Sequence, residues 1–202
     1  MPYTLTEEFV AVYRMHPLMR DKVDVYDIGS NIISRSVPLQ NTRDRDAESL
    51  LNGEHPERLW YSFGITNPGS LTLNNYPNFL RNLSIPLVGN IDLATIDVLR
   101  DRERGVPRYN EFRREIGLNP ITKFEDLTTD PATLANLKRI YGNDIEKIDT
   151  LVGMLAETVR PDGFAFGETA FQIFIMNASR RLMTDRFYTK AVSYTHLRAH
   201  ET

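Results

Sequence analysis

The chain has 202 residues, a formal net charge of −3 and no cysteine. That length suffices for one domain with a real core; the charge balance leaves no electrostatic footprint for nucleic acid, and the lack of cysteine excludes a disulfide framework and a thiolate metal site. No apolar run approaches the roughly 20 residues that a bilayer-spanning helix needs, and no signal peptide is visible at the N-terminus.

In chain order the pattern is α-rich. Thr4-Leu5-Thr6-Glu7 has the capping-box form, and Phe9, Val12, Tyr13 and His16 recur at helical spacing, which predicts a first helix. Pro17 disfavours the α conformation at His16, so that helix ends or kinks there. Residues 25–58 are polar and charged and read as connecting structure with one short helix. Short helices are predicted from Glu57 to Phe63 and from Asn78 to Leu83. Asp92 caps a helix with Leu93, Ile96 and Leu99 on one face, stopped by Gly105-Val106-Pro107. A short helix from Asn110 to Glu115 closes at Gly117. Asp130-Pro131 opens another, with proline at the first helical position. Asp144 to Glu157 and Glu168 to Met183 complete the set.

Tyr13-Arg14-Met15-His16 carries the first chemical suggestion. On a continuous helix a tyrosine and a histidine three residues apart share one face. An imidazole can bind haem iron, and a neighbouring phenol can give up an electron and a proton. A packed tyrosine and a structural histidine would leave the same pattern. His196 and His200 form an H-x-x-x-H pair that matches metal-ligand spacing. Their context, SYTHLRAHET, resembles translated sequencing-adapter sequence, so residues 191–202 are taken as a non-native tail with no function.

The segment EEFVAVYRMHPLMRD around Tyr13 and His16 resembles the proximal-haem segment of the fatty-acid α-dioxygenases, a branch of the cyclooxygenase and animal-type haem peroxidase superfamily. Further blocks follow in the order that family would have them: LTLNNYPNFLR at 71–81, DLATIDVLRDRERGVPRYNEFRR at 92–114, PITKFEDL at 120–127 and FGETAFQIFIMNASRRLMTDRFYT at 166–189. The resemblance implies an all-α fold, the C-terminal part of the mostly helical haem peroxidase architecture, with residues 1–190 belonging to a catalytic domain. It also implies a C-terminal piece, because in that family the distal histidine, a calcium loop and much of the haem cradle precede the Y-x-x-H helix. Calcium and a weakly membrane-facing region would belong to that upstream part.

The same resemblance assigns roles. His16 becomes the proximal ligand of haem b iron, and Tyr13 the tyrosyl radical that takes a hydrogen from the carbon next to a fatty-acid carboxylate. O2 then adds to give a 2-hydroperoxy acid. Asp97 falls near the position where peroxidases place an asparagine as partner of the proximal histidine; the alternative is a solvated helix residue. Arg100 lies where peroxidases pair an arginine with a haem propionate; the alternative is an intramolecular salt bridge. Arg181 holds the substrate carboxylate, with Arg180 as competing candidate and Asp185 as a competing anion, beside the apolar surface of Phe171, Ile173, Phe174, Ile175 and Met176. The competing functions are a peroxidase of the same superfamily that oxidises small donors, and a non-catalytic truncated scaffold.

Overall fold

The structure is a computed structural model that describes residues 6–43 and 45–188. Its first helix, α1 (Glu7–Val12), begins at Thr6, whose hydroxyl accepts the Phe9 N–H. Thr4, the expected cap, lies outside the described residues. The helix also stops earlier than predicted. Tyr13 is its C-cap, and His16 opens a separate 3-10 turn, His16–Leu18. Pro17 has no N–H to donate and cannot prolong the α-helical ladder. Tyr13 and His16 therefore do not share one helical face, which corrects the expectation from their spacing.

The chain divides into two compact units. One comprises residues 15–96, the other residues 1–14 with 97–202. In the first, the stretch expected to be connecting structure holds an antiparallel hairpin, β1 (Lys22–Tyr26) and β2 (Ile33–Pro38). Two helices follow, α2 (Asp46–Asn52) and α3 (Pro56–Ile65). Val25, Leu50 and Leu59 form a small core, flanked by Val23 and Val37. The Ser62 hydroxyl on α3 accepts the Tyr26 N–H at 2.8 Å, which ties helix to strand. Next come α4 (Asn78–Arg81) and a second hairpin, β3 (Leu83–Ile85) with β4 (Gly89–Ile91). The two hairpins are the departure from a purely helical reading. Period-2 alternation over segments this short is hard to separate from loop sequence.

In the second unit the helices follow the predicted punctuation. Asp92 accepts N–H bonds from Ala94 and Thr95 and starts α5 (Leu93–Glu103), within which the division between the units falls. Then come α6 (Tyr109–Glu115), α7 (Pro131–Tyr141), α8 (Thr150–Ala156) and α9 (Glu168–Thr184). Asp130 caps α7 through the Thr133 N–H at 2.7 Å, and Gly142 ends it in the left-handed region at φ 64°. The predicted helix from Asp144 to Glu157 is broken instead. A 3-10 turn (Ile145–Lys147) precedes α8, because the Ile148 carbonyl accepts the Tyr109 N–H and the Asp149 carboxylate is drawn into a cluster of basic groups. α1 packs against α8 and α9, and α6 packs against α8.

Candidate active site

Tyr13 ends α1 with its ring against Phe9, centroids 4.9 Å apart, and is 61% exposed. The phenol is thus presented to its surroundings rather than packed away. The next residue, Arg14, brings its Nε to 3.1 Å from the Asp97 carboxylate on α5, which is 1% exposed. α5 inverts the expected amphipathic pattern. Ile96 and Leu99 are exposed, whereas Asp97 and Asp101 are the buried residues of the helix. Burial pushes Asp101 up to about 6, against the lowering effect of Arg14 and together with the charges of Asp97, Asp149 and Glu7. One Asp101 carboxylate oxygen, Oδ2, has no hydrogen-bond partner among the described residues. On the same helix Arg100 makes a forked pair with Glu7 of α1 at 3.1–3.2 Å. Glu7 therefore occupies the guanidinium that the resemblance gives to a haem propionate.

His16 lies in the other unit and is held there by the 69–76 loop. The Gly69 N–H donates to the Leu18 carbonyl at 2.9 Å and the Asn75 side chain to the Pro17 carbonyl at 3.2 Å. A Cβ at residue 69 would overlap the Pro17 carbonyl, so only glycine permits this approach. His16 Nδ1 is 2.9 Å from the Tyr76 hydroxyl, with the ring centroids 5.2 Å apart. With the proton on Nδ1, it is donated to the Tyr76 oxygen, and the lone pair that a metal would take is on Nε2. A half-buried imidazole steered through Nδ1 has the chemistry of a haem ligand, and this residue fits the group. Among the described residues no cluster of three or more His, Asp or Glu side chains is placed to hold a metal ion.

α9 puts Phe171, Phe174, Ala178 and Arg181 on one stripe, at spacings of three, four and three residues. Phe171 packs on Phe164 at 4.3 Å, and Phe174 meets Phe166 at 6.5 Å. Ile173 faces the core, so the apolar residues of this helix split between two faces. Arg180 and Arg181 are both exposed, and neither has an ion pair among the described residues. Asp185 does not pair with Arg181. Its N–H caps the Arg181 carbonyl and its carboxylate accepts the Phe187 N–H.

The groups missed by sequence reasoning are Tyr76, Glu7, Arg14 and two buried polar clusters. Tyr76 sits inside a family-like block, but no spacing links it to a histidine 60 residues earlier. In the first cluster Asp149 accepts two bonds from Arg102 at 2.7–2.8 Å, one from Arg108 and one from the Tyr141 hydroxyl. Burial raises the Asp149 carboxyl, but these bonds and charges outweigh it and hold the group below its ordinary value. Tyr141 is pushed up to about 12, by burial first and then by Asp149. In the second cluster Glu157 accepts from the Tyr109 and Thr169 hydroxyls, from Arg113 at 3.3 Å, and from the Thr169 N–H at 3.1 Å. Burial and the Glu157 charge both raise the Tyr109 phenol.

The profile of the animal haem peroxidases matches residues 1–201. The chain belongs to the animal haem peroxidase family. Haem, and with it iron, is the cofactor that this family implies. Among similar proteins, "Alpha-dioxygenase PIOX" of Oryza sativa subsp. japonica is 47% identical over 203 residues, covering 94% of this chain and 32% of the relative. The crystal structure of fatty acid alpha-dioxygenase from Arabidopsis thaliana superposes with a TM-score of 0.87 at 40% identity, over 96% of this chain and 32% of that one. A tyrosine-to-phenylalanine form of the Oryza sativa fatty acid alpha-dioxygenase, solved with palmitic acid, gives a TM-score of 0.85 at 43% identity, over 93% of this chain and 33% of that one. The chain thus spans about a third of the length of these relatives. The likeness in fold accords with the mostly helical architecture expected from the sequence. No helix among the described residues is long and apolar enough to cross a membrane.

Proposed function

We propose that this chain supplies the tyrosine, the proximal histidine and the carboxylate-binding arginine of a haem-dependent fatty-acid α-dioxygenase. The observation that carries the reading is the packing of α1 against α9. One helix ends in an exposed phenol, and the other bears a cation that has no ion pair among the described residues, on the same stripe as two phenylalanines. A phenol, an apolar surface and a cation are what oxygenation at the carbon beside a carboxylate requires. The Oryza sativa relative was solved with palmitic acid, a fatty acid with an apolar tail and a carboxylate of that kind.

When bound, haem supplies the one-electron oxidising power. His16 would hold its iron through Nε2, with Tyr76 as the acceptor that orients the ring, and Arg100 would serve a propionate by exchanging partners with Glu7. Arg181 binds the fatty-acid carboxylate and so places the α-carbon near Tyr13. Tyr13, having lost an electron and its phenolic proton, takes a hydrogen atom from that carbon. O2 adds to the carbon radical, and the resulting peroxyl group takes the hydrogen atom back from Tyr13. The sum is fatty acid plus O2 giving the 2-hydroperoxy acid, with the Tyr13 radical regenerated. Calcium and any membrane contact belong, in this reading, to parts of the relatives that the chain does not match.

Tyr13→Phe in the haem-loaded full-length protein keeps the ring and removes the redox-active phenol. Palmitate-dependent O2 uptake falls below about one hundredth of wild type, while the haem absorbance is retained. Normal O2 uptake by this variant would exclude Tyr13 as the radical and favour a peroxidase acting on small donors.

A further inference from the structure

A large buried polar group lies where α9 begins. Gly167, the N-cap residue of α9, has no side chain to cap the helix. The Thr169 N–H, an orphan donor of the first turn, is taken by the Glu157 carboxylate from beyond the end of α8. The other Glu157 oxygen accepts the hydroxyls of Thr169 and of Tyr109 on α6. Arg113, also on α6 and itself buried, donates to Thr169 Oγ1 at 2.7 Å, to Glu168 at 2.9 Å and, through Nε, to the Asn119 carbonyl at 2.7 Å. Two glycines make room for this assembly. A Cβ at residue 167 would overlap the Glu157 carboxylate, and one at residue 153 would overlap the Tyr109 ring.

A serine or threonine at the N-cap would satisfy the same orphan donors locally. A carboxylate from another segment does more, because it also fixes the helix end against α6 and α8. Buried polar networks of this kind, fully satisfied, specify one arrangement rather than several. Arg181 lies 12 residues beyond Thr169, about 18 Å along the axis at 1.5 Å per residue. On that lever a tilt of about 5° at the clasp displaces the guanidinium by roughly 1.5 Å. A misplacement of about 1 Å at a reacting centre can cost on the order of a hundredfold in rate.

We propose that the clasp of Glu157, Thr169 and Arg113 is the positioning device that aims α9, and through it Arg181, at the fatty-acid carboxylate. The inference rests on the reading of Arg181 given above. These three are positioning residues, and none is assigned contact with substrate. Thr169 is the member to vary, since its hydroxyl both donates to Glu157 and accepts from Arg113.

The test compares Thr169→Val, Thr169→Ser and Arg181→Gln in the haem-loaded full-length protein. The measurements are KM for palmitate, oxidation of a small uncharged donor, and hydrogen exchange along α9. For Thr169→Val we expect at least a tenfold rise in palmitate KM, faster exchange in the first turns of α9 and little change with the small donor. Thr169→Ser, which keeps the hydroxyl, restores KM and protection to within about twofold of wild type. Unchanged exchange in Thr169→Val would overturn the clasp as the anchor of α9, whatever KM does. Faster exchange with normal KM, while Arg181→Gln raises KM, would overturn its role in aiming the arginine. A parallel loss of both activities in Thr169→Val would show a merely structural role and overturn the proposal as well. If exchange quickens but neither variant changes KM, the clasp stands as the anchor of α9 and the reading of Arg181 fails.

Discussion

Replacing Asp101 by asparagine tests whether α5 buries a carboxylate at a cost. The side chain is 3% exposed, and its Oδ2 has no hydrogen-bond partner among the described residues. Burial is the largest influence and, with the charges of Asp97, Asp149 and Glu7 acting in the same direction, outweighs Arg14, which stabilises the anion, and lifts the group from 3.8 to about 6. A folded pKa above the unfolded one contributes stability that is fully present below pH 3.8 and is lost as pH rises through about 6. The difference of about two units at 1.36 kcal/mol each amounts to roughly 3 kcal/mol over the whole titration. Between pH 4 and pH 7.5 the wild-type chain loses roughly 2–3 kcal/mol relative to Asp101→Asn, which has no proton to lose. The amide is nearly isosteric but can leave its own N–H group unpaired, at about 1–3 kcal/mol at any pH. The two effects separate because only the first depends on pH. Urea unfolding of both chains at pH 4, 5.5 and 7.5 measures it, with ΔG extrapolated to water. A wild-type minus variant difference that is flat across this range would refute the reasoning and show that Asp101 ionises in the native state as it does when unfolded.

The other predictions concern the substrate arginine, the second acidic hub and one helix cap. In the full-length protein, Arg181→Gln raises palmitate KM at least tenfold, about 1.4 kcal/mol, and leaves a small uncharged donor unaffected, whereas Arg180→Gln changes neither; the reverse pattern in steady-state kinetics would move the carboxylate site to Arg180. Asp149→Ala strands the buried Tyr141 hydroxyl and releases Arg102 and Arg108, which are 50% and 40% exposed and regain water. The loss is therefore about 2 kcal/mol rather than the 3–5 of a fully buried pair, read as a lower urea midpoint. Asp149 is held below its ordinary value, so the stabilisation it contributes is present above the unfolded carboxylate range and fades as pH falls through the folded pKa. Asp130→Ala removes the cap on Thr133 and costs about 1 kcal/mol; an unchanged unfolding midpoint would mean that this helix end is not limiting.

Much of the chain from α5 onward was legible in residue order, because several of the signals that start and stop its helices are local. Asp92, Asp130-Pro131, Gly117 and Gly142 act through their own dihedrals and nearby N–H groups, and they do so where the sequence places them. Tyr13, His16 and Arg181 entered as candidates through segments that resemble a branch of the animal haem peroxidases, and the animal haem peroxidases are the family to which the chain belongs. What a sequence cannot show is which distant group satisfies which. Nothing at residue 16 points to Tyr76, nothing at Arg100 points to Glu7, and nothing at Gly167 shows that its missing cap arrives from Glu157. Helical periodicity put Leu93, Ile96 and Leu99 on one face, yet α5 buries Asp97 and Asp101, because an ion partner such as Arg14 comes from another part of the chain. Local chemistry therefore determined where α5 and α7 begin and where α7 ends, whereas contacts from distant segments set the starts of α8 and α9. The tertiary structure decided which polar groups the helices bury, since the penalty for burying a charge depends on partners that only the fold brings within reach.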